Sequence, residues 1–204
     1  LQGGAENSAK FIQNGAVELF NNGFKSFETY THGITVYGPE GGNAILNLWA
    51  DEGDDNADKW HFLAGTDGNL LIRNLADGSG SDTSIKCVSD GAVELYHDNV
   101  KTFETSSTGI EIRGPEANNC ELYLYADEGD DNADLWKLKA AHDGSYFYLQ
   151  NKNSGSWETN IKAVGDAGVH LYYDNSTVCY TDTNALRFND NEYVKFGNNQ
   201  DFKI

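Results

Sequence analysis

Apolar and polar side chains alternate along most of this chain. Val17 and Leu19 alternate with Ala16 and Glu18, Leu46 and Leu48 flank Asn47, Ile110 and Ile112 flank Glu111, and Leu122 and Leu124 flank Tyr123. A period of two places one set of side chains on one face of a β-strand, and no stretch holds the 3.6-residue period of a helix. Turn dipeptides separate the runs. Asn22-Gly23, Asp67-Gly68, Asp77-Gly78 and Asp143-Gly144 supply residues that accept positive φ where hairpins need them. Two places break the clean alternation. At Leu48-Trp49 and at Tyr146-Phe147-Tyr148-Leu149 both faces are apolar or aromatic, which predicts burial on both sides, in a sandwich or against another chain.

The pattern itself repeats. Gly15-Ala16-Val17-Glu18-Leu19-Phe20 returns as Gly91-Ala92-Val93-Glu94-Leu95-Tyr96, and the distance from Gly15 to Gly91 sets the period. One period further on it returns more loosely, as Ala167-Gly168-Val169-His170-Leu171-Tyr172. Phe27-Glu28-Thr29 returns as Phe103-Glu104-Thr105, and Gly38-Pro39-Glu40 as Gly114-Pro115-Glu116. A fixed period of this length is the mark of a stacked-unit architecture. The predicted division is a leader at 1–7, β-repeats at 8–83 and 84–159, and a partial or divergent third repeat at 160–204. About six short strands per unit are expected, with no insertion disturbing the register. The fold class expected is all-β, with tandem 76-residue units in an elongated array.

Composition adjusts this picture in three ways. Hydrophobic residues make up 39% of the 204 residues, below the globular norm, but 11 Tyr, 10 Phe and 4 Trp are present, and large rings stabilise a thin core. The net charge of −18 argues against nucleic acid, whose binders neutralise phosphates with Lys and Arg, and against docking on anionic membranes. No apolar run is long enough for a membrane span, so membrane insertion is not expected. The chain begins at Leu1, which suggests an excised or mature fragment. Cys87, Cys120 and Cys179 lack metal-type spacing. They fall in repeat slots otherwise held by Phe11 and Ala163, by Ala44, and by Phe27 and Phe103, which predicts buried free thiols.

The repeated polar feature is an acidic stretch. Asp51-Glu52-Gly53-Asp54-Asp55-Asn56-Ala57-Asp58 returns unchanged as Asp127 to Asp134. Like charges this dense repel one another. A hard cation with oxygen ligands relieves that repulsion, so calcium is the candidate ligand, held by Asp51, Asp54, Asp55 and Asp58 and by Asp127, Asp130, Asp131 and Asp134. The plainer reading is a solvated loop built of Asx-turns. Trp49, Trp60, Trp136 and Trp157 have the chemistry to stack on sugars. Trp60 and Trp136 share a repeat slot and alternate with Phe62 and Leu138, which predicts rings pointing into a core. The five histidines recur at no common slot, and no nucleophile elbow, zinc-protease or P-loop motif occurs. The expectation is a structural or binding protein and not an enzyme.

The run from Gly91 to Ile112, with Lys101-Thr102-Phe103-Glu104-Thr105 at its centre, resembles repeats of tail-fibre and related virion proteins of marine bacteriophages, cyanophages especially. Asp127 to Trp136, Gly155 to Lys162, and Asn189 to Gly197 are similar to segments found in such fibres. The resemblance implies an extracellular virion component, a homotrimer serving as a structural segment of a tail fibre, and attachment to host surface glycans. A bacterial extracellular filament or adhesin built from the same repeats is the alternative, and a polysaccharide depolymerase ranks below both. No binding residue carries over.

Overall fold

A computed structural model of the chain describes residues 8–76, 78, 80–196 and 202–203. Asp77 lies outside them, so of the expected Asp77-Gly78 turn only Gly78 is seen, at φ +70°. The chain divides into two compact units, Leu1–Glu111 and Ile112–Ile204.

The protein is all-β. Strands β1 (Ala9–Phe11), β2 (Val17–Asn21), β3 (Phe24–Tyr30) and β4 (Gly33–Val36) form a four-stranded sheet. A first seven-stranded sheet follows: β5 (Ala44–Trp49), β6 (Lys59–Ala64), β7 (Leu70–Asn74), β8 (Asp82–Cys87), β9 (Val93–His97), β10 (Val100–Ser106) and β11 (Gly109–Ile112). The second seven-stranded sheet contains β12 (Cys120–Tyr125), β13 (Leu135–Ala140), β14 (Tyr146–Asn151), β15 (Glu158–Val164), β16 (Val169–Tyr173), β17 (Ser176–Asp182) and β18 (Ala185–Phe188). A short pair, β19 (Lys195–Phe196) and β20 (Phe202–Lys203), completes the described strands. Within each sheet every strand neighbours the strands before and after it in sequence. The sheets are antiparallel meanders.

Seven strands, not six, fill one period, because Glu158–Val164 and its counterpart Asp82–Cys87 each form a strand that bridges two sequence repeats. Each strand of the second seven-stranded sheet begins one full period after its counterpart in the first. The hairpins that join them are set by turn chemistry. Asn22-Gly23, Asp98-Asn99 and Asp174-Asn175 are two-residue turns with both residues at positive φ, 50° and 78°, 51° and 57°, and 49° and 58°. That geometry matches the right-handed twist of the flanking strands.

The register does slip once. Ala64 pairs with Leu70 in the first sheet, but Ala140 pairs with Phe147 in the second. The turn there is longer by a single position and the following loop is shorter by the same amount, so that Ile161 again takes the place of Ile85. The expected unbroken register therefore fails at β14 and is restored at β15.

Candidate interaction faces and acidic loops

Pairing fixes which side chains share a face. One ladder runs Leu46, Phe62, Ile72, Ile85, Leu95, Phe103 across six neighbouring strands of the first seven-stranded sheet. In the second, Leu122, Leu138, Leu149, Ile161, Leu171, Cys179 and Phe188 cross all seven strands. The four-stranded sheet carries Ala9, Leu19, Phe27 and Val36 in the same way. Trp60 and Trp136 stand on this face beside Leu48 and Leu124.

This apolar face is uncovered. Leu46 is 42% exposed, Phe62 38% and Leu95 38%. The rings expected to form a core, Trp60 and Trp136, are 39% and 38% exposed. Alternation places them on the right face, but among the described residues Cys179 is the one member of these ladders that is buried. Among the described residues only Leu63, Leu71 and Cys179 are buried apolar side chains. Of the three thiols expected to be buried, Cys179 is, while Cys87 and Cys120 are half-buried, and all three are free.

The opposite face is polar and, residue for residue, better buried. Leu63 and Leu71 lie on it, beside Lys86 and Glu94 in one ladder. Glu94 is buried and accepts hydrogen bonds from Lys101 Nζ at 2.9 Å and the Tyr96 hydroxyl at 2.7 Å, with Lys86 at 3.7 Å. Lys101 also reaches Glu104 at 2.6 Å. In the four-stranded sheet Lys10, Glu18, Lys25 and Glu28 repeat this network, and the Tyr37 hydroxyl donates to Glu28. In the second seven-stranded sheet the same positions hold Lys162, His170, Thr177 and Tyr180. There His170 stacks on Tyr180, centroids 5.1 Å apart and planes 12° from parallel. Tyrosine and lysine stems supply the burial, since both keep an apolar body under a polar tip. Lys162 sits 4.0 Å from the Tyr146 centroid and Lys139 4.2 Å from that of Tyr148. The aromatic second face of Tyr146-Phe147-Tyr148-Leu149 is thus a cation–π layer. Lys137, buried, bonds Glu121 at 3.0 Å and lies 4.4 Å from the Trp157 centroid.

These contacts set the titration behaviour. Hydrogen bonds from Tyr96 and Lys101 hold Glu94 below the usual carboxylate value, and those from Lys25 and Tyr37 do the same for Glu28. Bonding to Glu104 and Glu94 raises Lys101, and the Glu121 hydrogen bond, aided by burial, pushes Tyr123 up to about 12. A depressed carboxylate stabilises the fold above its unfolded value and loses that contribution as pH falls through its folded value. A raised lysine keeps its contribution until the pH passes its ordinary value of 10.5. The melting temperature is expected to be flat across neutral pH and to fall below about pH 4.5, measured by circular dichroism. A melt that strengthens on acidification would contradict the network.

The acidic loops fold alike. Each opens with three successive residues at positive φ: Asp51, Glu52 and Gly53 at 38°, 62° and 71°, and Asp127, Glu128 and Gly129 at 38°, 68° and 75°. Gly53 is needed, because a Cβ there would lie 3.1 Å from the Trp49 ring. Of the four carboxylates expected to share a cation, the structure groups three in each loop. Asp54, Asp55 and Asp58 converge within 4.8 Å, as do Asp130, Asp131 and Asp134, while Asp51 and Asp127 stand outside. Local capping uses part of the same acceptor capacity: Asp54 Oδ1 accepts from the Asp55 N–H at 3.1 Å, and Asp134 Oδ2 from the Asp131 N–H at 3.3 Å.

Among the described residues no helix is long and apolar enough to cross a membrane. No protein-family model matches the chain, and neither a curated protein nor a solved structure does.

Proposed function

We propose that this chain is a structural segment of an extracellular fibre, of the tail-fibre kind that its repeats resemble, assembled as a homotrimer with the apolar faces turned inward. One observation carries the reading: each meander carries a ladder of aliphatic and aromatic side chains that, Cys179 apart, is not buried, while its polar face is the better buried of the two. A trimer also covers ladders that a lone meander leaves to water and presents three polar faces outward, a multivalent arrangement suited to host surface glycans. Light scattering is expected to give three times the 22.4 kDa chain mass. Twice that mass would replace the trimer by a face-to-face sandwich, and a single-chain mass would remove the assembly altogether. A glycan array with no signal above background would remove host recognition from this segment.

Calcium at the acidic loops is a second proposal, supported by the two groups of three carboxylates within 4.8 Å. It entails a melting temperature lower in EDTA than in millimolar calcium. Superimposable melts would leave these loops as capped turns and nothing more.

A further inference from the structure

A groove of about 540 Å³ lies within the first unit, lined by Arg73, Lys86, Tyr96, Thr83, Asn99 and Asp67, whose carboxylate accepts from the backbone and side-chain amides of Asn69. Leu63 and Leu71, both buried, also line it and give it an apolar floor. The volume falls in the range of small-molecule sites, and the mixture of an apolar floor with a few convergent polar groups is what orients a ligand there.

Arg73 is the unusual member. Its Nε is enclosed and has no hydrogen-bond partner, and among the described residues its guanidinium enters no ion pair. Its neighbours on this face are already engaged. Lys86 faces Glu94, the Tyr96 hydroxyl donates to Glu94, and Asn99 accepts from the Thr83 N–H while donating to Asp82. An enclosed, charged donor without an acceptor is unfavourable, and a guanidinium is shaped to meet a planar anion with two parallel bonds.

The second seven-stranded sheet supplies a comparison. Arg73 pairs with His61 on one side and Thr83 on the other, next to a β-bulge. After the slip at β14, the position with these neighbours is Gln150, between Lys137 and Thr159 beside the matching bulge. Gln150 donates to Thr159 at 3.2 Å, while its Oε1, like Arg73 Nε, is enclosed without a partner. The fold therefore accepts an uncharged side chain at this position, so the positive charge of Arg73 is not a requirement of the sheet.

We propose that this groove binds an anionic sugar residue of a polysaccharide, with its carboxylate or sulfate on Arg73 and its ring against Tyr96 and the leucine floor. The assignment rests on the polar faces being outward in the assembly. Recognition is short-range, since at about 0.1 M salt the field of the net −18 charge is screened beyond roughly 10 Å.

Calorimetric titration of the assembled full chain with three probes tests it: an oligogalacturonate, a sulfated oligosaccharide and a neutral oligosaccharide of equal length. The expected result is saturable binding of one or both anionic probes, at one site per chain, and none of the neutral one. Which anionic probe binds identifies the anion. Arg73→Gln, which copies the side chain that the second sheet carries at Gln150, is expected to weaken binding at least tenfold while scattering mass and melting temperature stay at wild-type values. Equal affinity in Arg73→Gln, equal affinity for the neutral probe, or no binding at millimolar concentration would overturn the groove. Scattering mass on the same samples separates the two readings: an intact trimer without binding removes the groove alone, and a monomer that binds removes the assembly alone.

Discussion

Aspartate at Phe62 and Leu138 together is expected to reduce the scattering mass to that of a single chain and to abolish cooperative melting. These residues hold the same place in the two long ladders, each paired on both sides with aliphatic neighbours. Burying a Phe or Leu side chain contributes about 1.5–3 kcal/mol, and every chain of an assembly would lose both. A carboxylate forced between apolar faces has no partner, which adds several kcal/mol of desolvation cost per site. The sum per chain is comparable to the whole stability of an ordinary domain, about 5–15 kcal/mol. Asn47→Asp is the matched control. It adds a charge on the other face of β5, where Asn47 is exposed, and should change neither mass nor melt. A doubly substituted chain with wild-type mass would show that the ladders face water in the working protein.

Glu94→Ala carries the second largest effect. It removes the acceptor shared by Lys101 and Tyr96 and leaves Lys86 and Lys101 without the charge between them. Breaking a fully buried pair costs about 3–5 kcal/mol and an exposed one under about 1. Glu94 is 8% exposed and its lysines are partly solvated, so a loss of about 2–3 kcal/mol is expected. Chemical denaturation of the assembled protein at fixed concentration measures it. The second seven-stranded sheet indicates a rescue. There the positions of Glu94, Lys101 and Glu104 hold His170, Thr177 and Tyr180, and the His170 and Tyr180 rings stack where the first sheet pairs charges. The triple variant Glu94→His, Lys101→Thr, Glu104→Tyr is expected to recover most of the loss, because Tyr96 already supplies the third ring that Tyr172 gives His170. A triple variant weaker than Glu94→Ala would mean that the two sheets do not solve one packing problem in two ways.

The alternation of Val17 with Glu18, or Leu122 with Tyr123, is enough to locate strands and to sort side chains by face. It says nothing of what lies against a face, so Trp60 and Trp136 read as core although their face is open. Tyr146-Phe147-Tyr148-Leu149 is the least legible segment. When both faces carry rings, a slip by a single position costs little in hydrophobic pattern, and register passes to the turn. The longer turn before Phe147 therefore decides the pairing. That slip also hides Arg73, whose counterpart one period on is Leu149 in spelling but Gln150 in space. The Asp98-Asn99 and Asp174-Asn175 hairpins escape a search for Gly-containing turns, although Asp and Asn are among the few side chains at ease at positive φ. The acidic stretch is plain in the sequence, but three successive positive φ values turn Asp51 and Asp127 away from the other carboxylates, which composition cannot foretell.

The meander order has a kinetic consequence. Within each sheet the described strands pair only with strands next to them in sequence, so each hairpin can close within microseconds of its residues becoming available, without waiting for distant parts of the chain. What those hairpins lack is a surface to rest on, since a single sheet in water gains little from closing. On dilution from denaturant, the slow step should then be the meeting of chains, and its rate should rise with protein concentration. Such a chain would owe its speed of maturation to how crowded it is at birth, and would benefit from being made where its sisters are already waiting.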